Sequence, residues 1–195
     1  QETIVLFRKL LQKQSVPKKG KATVAIENKP TVGLIYVAEK YDGWKEECLQ
    51  VLKQNFDSET KRFAEDSEIM DALQKTSVGN IGDLKQIKKV CASFLKFKKD
   101  EARLVGARAL DVKLPFGEMQ VLIENVDLIK KQLNLDEVYV YSFMDAEALR
   151  RTGSRISVLN QSPPSPGNPV AIFLTHNDIP SEEELGNGVG RVQIR

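Results

Sequence analysis

The sequence predicts an α+β domain, a small β-sheet packed with several α-helices and preceded by one helix left over from a truncated helical domain. Three observations carry this. Short β-branched and aromatic runs recur at residues 32–38, 138–142 and 170–175. Helix-spaced apolar residues fill the intervals between them. The order is strand, three helices, a further helix, strand, short helix, strand, so the helices cover a small sheet rather than alternate with its strands.

In residues 1–14, Ile4, Phe7 and Leu11 fall on one side, and Val5, Leu6 and Leu10 widen that face. A helix apolar over so much of its surface packs on neighbours. Too little chain precedes it to supply them, so it is expected to be the last helix of another domain. With no initiating Met, the chain is expected to be a piece of something longer or a processed product. Residues 15–31, with Pro17, Gly20, Pro30 and several lysines, read as a basic linker. Residues 32–38 form a buried strand. Asp42 is placed to cap the next helix, along which Trp44, Cys48, Leu52 and Phe56 line one face.

A polar loop and a short helix holding Ile69, Met70 and Leu73 follow, ended by Gly79 and Gly82. Residues 84–105 are the most informative helix. At 100° per residue, Ile87, Val90, Cys91, Phe94, Leu95, Phe97 and Ala102 share a broad apolar face, and Gly106 ends the helix. Met119, Leu122, Val126, Ile129 and Leu133 pattern one more helix. Asp145 caps a short helix closed by Arg150, Arg151 and Gly153. A Pro-rich loop at 161–169 leads to the last strand. Residues 32–175 are expected to form one domain. Residues 176–195 have no core-forming pattern and are expected to be disordered.

Composition narrows the function more by exclusion. His176 is the only histidine, and it stands at the start of the loose tail, so neither a Ser-His-Asp nor a Cys-His device can be assembled around it. Too few His and Cys stand at ligand spacing for zinc. The glycines of residues 186–190 lack the GKS/T ending and following helix of a phosphate loop. Glu46 and Glu47, Asp100 and Glu101, and Glu182 to Glu184 are neighbours only in sequence, and helical neighbours do not share a face. Cys48 and Cys91 lie far apart without a CxxC pair, which suits reduced thiols in the cytosol. No apolar run approaches the length of a membrane span.

Charge is segregated beneath a net value of only +2. Residues 1–31 hold seven Lys or Arg against two Glu, and residues 84–103 hold seven against two acids. On the helix of residues 84–105, Lys85, Lys88, Lys89, Lys96, Lys99 and Arg103 lie in a stripe roughly 100° wide, opposite the apolar face and about 27 Å long. Such a stripe suits a row of RNA phosphates or a solvated helix face. Lys18, Lys19 and Lys21 add a flexible contact or keep the linker soluble. Trp44 is expected in the core. Tyr139 and Tyr141 share one face of a strand, where core or edge packing competes with base stacking.

Several stretches carry a resemblance: Gly-Leu-Ile-Tyr-Val-Ala at 33–38, Tyr-Asp-Gly-Trp at 41–44, Phe-Leu-Lys-Phe-Lys-Lys at 94–99, residues 109–117 and 135–141, and the Pro-rich loop. In this order they resemble the C-terminal region of cytosolic leucyl-tRNA synthetase of the eukaryotic and archaeal type, most of all the plant enzymes. The resemblance spans residues 1–175. It implies a family that ligates leucine to its tRNA with ATP, in a class I catalytic domain with HIGH and KMSKS motifs and a separate editing domain. Neither motif occurs here, so this chain is expected to be non-catalytic and to hold no cofactor of its own. By the same resemblance residues 1–14 end the helical anticodon-binding domain, and residues 32–175 reach the long variable arm and elbow of tRNA-Leu. The competing expectation is a protein-interaction module docking on the remainder of the synthetase, other synthetases or regulators.

Overall fold

The computed structural model describes residues 2–15, 29–41 and 43–179. In chain order these form α1 (Glu2–Ser15), β1 (Val32–Val37), α2 (Gly43–Gln54), β2 (Phe56–Asp57), β3 (Arg62–Phe63), α3 (Asp66–Gln74), α4 (Leu84–Val105), α5 (Glu118–Glu124), α6 (Val126–Leu133), β4 (Glu137–Ser142), α7 (Ala146–Arg150), α8 (Ile156–Gln161) and β5 (Val170–Leu174), with short 3-10 turns between. The α+β expectation holds. The linker lysines Lys18, Lys19 and Lys21, the cap Asp42 and the tail beyond Ile179 lie outside the described residues.

The chain divides into two units, residues 1–39 with 116–195, and residues 40–115. The sequence alone suggested one domain over 32–175 with the first helix outside it. The packing instead groups that helix with the sheet.

In the first unit β1 is central, parallel to β4 and antiparallel to β5. All six of its residues are buried. A strand covered on both faces reads as a continuous apolar run, which is why Val-Gly-Leu-Ile-Tyr-Val does not alternate. Ile35 and Val37 face a cluster with Phe7 of α1, Leu122 of α5 and Ile129 and Leu133 of α6. Val32, Leu34 and Tyr36 face Ala148 of α7 and Leu159 of α8. Gly33 sits opposite Val138 and Phe173 in the register. A Cβ there would approach Leu135 to 3.1 Å, so a larger residue would crowd the sheet.

α1 is held to this sheet by more than its apolar face. The Gln14 amide donates to the Ala171 carbonyl and accepts from the Phe173 N–H, both at 2.9 Å, much as a neighbouring strand would pair with β5. The helix expected over residues 118–133 is two helices. They break at Asn125, whose side-chain amide donates to the Val121 carbonyl at 2.8 Å and so competes with the helical ladder. Asp145 caps α7 by accepting from the N–H groups of Glu147 and Ala148. The Pro-rich loop is partly interior: Pro164, Pro166 and Pro169 are buried, and the Gly167 N–H donates to the Glu118 carboxylate at 3.0 Å.

In the second unit α2, α3 and α4 enclose a core of Cys48, Leu52, Ile69, Leu73, Ile87 and Cys91, among others. Both cysteines are free and buried. The region expected as a polar loop is a tight hairpin, β2 against β3, closed by the tilted rings of Phe56 and Phe63 at 4.7 Å. Lys61 occupies a left-handed conformation in its turn. Trp44 is half-buried at the rim of this core, edge-on to Phe94 at 5.4 Å.

Two outcomes test this packing. Phe7→Ala should lower unfolding free energy by about 3–5 kcal/mol in a denaturant titration, because the ring is fully buried. A change under about 0.5 kcal/mol, as at an exposed site, would place α1 off the sheet. Burial raises the Glu118 carboxyl pKa, and the Gly167 hydrogen bond only partly opposes it. The native state therefore holds a proton that the unfolded chain has already released. Stability should fall as pH rises from the ordinary glutamate value, about 4.3, through the raised native one. Glu118→Gln, which keeps an acceptor for Gly167, should remove that slope from the pH profile of the thermal midpoint.

Candidate interaction surface on helix α4

α4 is a 22-residue helix with both ends defined. Asp83 accepts from the Gln86 N–H at 2.9 Å, and the Gln86 side chain accepts from the Asp83 N–H at 3.0 Å, a reciprocal cap. At the other end Gly106, at φ +84°, donates its N–H to the Ala102 carbonyl at 2.8 Å. Ile87, Cys91, Leu95, Lys98 and Ala102 are buried, at spacings of three and four residues.

The apolar face is narrower than the wheel predicts. Val90 is 38% exposed and Phe97 60% exposed, a correction to their expected place in the core, and Leu104 is 80% exposed. These three recur every seven residues. They lie beyond the arc that the neighbouring elements cover, so α4 presents an apolar stripe to solvent beside its basic one.

Lys98 was missed as a core residue, although its place between Leu95 and Ala102 on the buried arc signals it. It is 5% exposed. Its ammonium donates to Glu101 at 2.8 Å and to the Ala109 carbonyl at 3.3 Å, and lies 5.0 Å from the Tyr41 ring centroid. Burial works against its charge. Hydrogen bonding to Glu101 and the proximity of Tyr41 outweigh that, so its pKa stands above the ordinary lysine value.

The six predicted cations share a side of the helix but not a state. Lys85, Lys88, Lys89 and Lys96 are exposed. Among the described residues none of the four has a carboxylate within ion-pair distance. Lys99 turns back onto α3, 2.5 Å from Asp66, with its ammonium 5.6 Å from the Phe63 ring centroid. Arg103 pairs with Asp100 at 2.8 Å and also lies over Phe63. The Lys99 hydrogen bond holds the Asp66 carboxyl below the usual range. Lys88, Lys96, Lys99, Arg103, Asp66 and Met70 line an open groove of about 630 Å³ between α3 and α4. The unpaired part of the stripe, from Lys85 to Lys96, is thus about 16 Å long, against the 27 Å expected.

Residues 37–115, the second unit almost residue for residue, match a family described as leucine–tRNA ligase, RagD-binding domain. Over 184 residues the chain is 46% identical to a cytoplasmic leucine–tRNA ligase of Arabidopsis thaliana, covering 92% of this chain and 17% of that protein. It is 29% identical over 168 residues to the cytoplasmic enzyme of Pongo abelii, covering 86% of this chain and 13% of that protein. It is 30% identical over 178 residues to that of Dictyostelium discoideum, covering 89% and 15%. The chain therefore spans about a sixth of the length of the curated relatives it matches.

The division of α4 into buried and open arcs is measurable. Ile87→Ala should cost about 2–5 kcal/mol in chemical unfolding. Phe97→Ser should change stability by less than about 0.5 kcal/mol. Comparable losses for the two would mean that Phe97 packs against the rest of the chain.

Proposed function

We propose that this chain, homologous to a region of cytosolic leucyl-tRNA synthetase, is a non-catalytic appendage that holds tRNA-Leu by its phosphates while the remainder of the synthetase performs the ligation. Leucine activation and its ATP belong to that remainder. The observation that carries the reading is the basic face of α4. Among the described residues, four exposed lysines without an ion pair stand on one side of a helix that is anchored to its core through the opposite side. Ammonium groups so placed follow a phosphate backbone without reading bases, and the counterions they release favour binding at low salt.

A second reading, docking to a protein partner, rests on two further observations. The matched family is described as RagD-binding over the unit that contains α4. The exposed Val90, Phe97 and Leu104 beside the lysines give that helix the apolar centre and charged rim of a protein interface.

The readings separate in solution. Replacing Lys89 and Lys96 by Ala should weaken binding of labelled tRNA-Leu in anisotropy titrations and flatten its salt dependence by about two units, one for each lost phosphate contact. Folding should hardly change, since exposed charges contribute little. Asp66→Asn should strengthen binding by releasing Lys99. Affinity and slope both unchanged in the double lysine variant would leave α4 to the protein-docking reading.

A further inference from the structure

Unit one carries an aromatic ladder that neither reading of α4 uses. Tyr36, on β1, is fully buried and donates its hydroxyl to the Ala148 carbonyl at 2.7 Å. Beside it in the register stands Tyr141 of β4, with ring centroids 5.9 Å apart. Two residues back on the same face is Tyr139, whose ring is 6.1 Å from that of Tyr141 and within 12° of parallel. The ladder runs from the core to the sheet edge, and Tyr139, at that edge, is 41% exposed. Its hydroxyl donates to Glu137 at 2.5 Å. The Arg151 guanidinium lies 6.0 Å from the Tyr141 centroid.

We infer that Tyr139, backed by Tyr141 and Arg151, is a stacking site for an unpaired nucleobase of RNA. A flat ring at a strand edge, parallel to a second ring and fixed at its hydroxyl, loses little freedom when a base stacks on it. Sequence-tolerant stacking of splayed bases on Tyr and Arg planes is how single-stranded RNA is commonly gripped. The charges here differ in kind from those of α4. Glu137 and Asp145 face the ladder along with Arg151, so this surface does not hold phosphates by net charge. A carboxylate and a guanidinium instead match the donors and acceptors of a base edge. The inference rests on the RNA reading above and adds the class of group bound and the residues that bind it.

The test uses the whole chain and fluorescein-labelled oligoadenylate across a salt series, with the same oligonucleotide made abasic at every position. Tyr139→Leu should weaken oligoadenylate binding about tenfold, the size of one lost stack, with the salt slope unchanged. Tyr139→Phe, which keeps the ring but loses its hydroxyl anchor on Glu137, should bind between the parent chain and Tyr139→Leu. On the abasic strand all three should bind alike. Thermal midpoints measured on the same samples separate any loss of folding, from the Tyr141 stack and the Glu137 hydrogen bond, from a loss of binding. Equal binding by Tyr139→Leu and the parent, or an equal loss on the abasic strand, overturns the stacking site. So does an effect of Tyr139→Leu confined to a protein partner. If the parent binds and only the Lys89 and Lys96 variant weakens, the RNA reading stands and the stacking site falls. If the parent binds neither strand and no tRNA, both fall.

Discussion

Burial of β1 on both faces is the constraint from which the first unit follows. A strand with six interior residues needs cover above and below, and the chain supplies α1, α5 and α6 on one side and α7 and α8 on the other. Backbone groups of a buried strand must also be paired along both edges. β4 and β5 provide this, one parallel and one antiparallel. A parallel neighbour cannot be reached by a tight turn, so a long connection between β1 and β4 is obligatory. The chain places the whole second unit within that connection. The same two-sided demand explains α1. Once Phe7 and Gln14 are in place, the outer edge of β5 is occupied by a side-chain amide and one apolar layer is closed.

At α4 the governing term is the competition of cations for anions. A lysine or arginine near a carboxylate of its own fold is neutralised before any partner arrives. Asp66 and Asp100 do this to Lys99 and Arg103. The remaining lysines keep their reach into solvent and with it their capacity to displace counterions from a polyanion. Lys98 belongs to neither set. Its ammonium stabilises the core by bridging Glu101, the Ala109 carbonyl and the Tyr41 ring, and it is closed to partners.

In the functions proposed above, the basic stripe of α4 and the tyrosine ladder of β4 would make two kinds of contact, point charges for phosphates and flat rings for bases. Each is built on a rigid element whose opposite face is packed in its own core. Rigid support keeps the ordering cost of binding low, which lets a few groups suffice. The apolar stripe of Val90, Phe97 and Leu104 is a third kind, suited to protein rather than nucleic acid.

Periodicity and composition determined the α+β class, the strands of the sheet, the span of α4 with its end at Gly106, and the side on which its cations lie. These depend on spacing along one element, and spacing is local. Tertiary structure alone decided the rest. Asn125 broke one predicted helix because its amide reached a carbonyl one turn back. Val90 and Phe97 fell outside the core because the width of a buried arc is set by the neighbours that cover it. Lys99 and Arg103 left the free stripe because Asp66 and Asp100 came within ion-pair distance, in one case from 33 residues away. α1 joined the sheet because Gln14 met β5 across more than 150 residues of chain. Which face of an element is charged or apolar is written in its own residues; which part of that face stays open is written in the elements packed beside it.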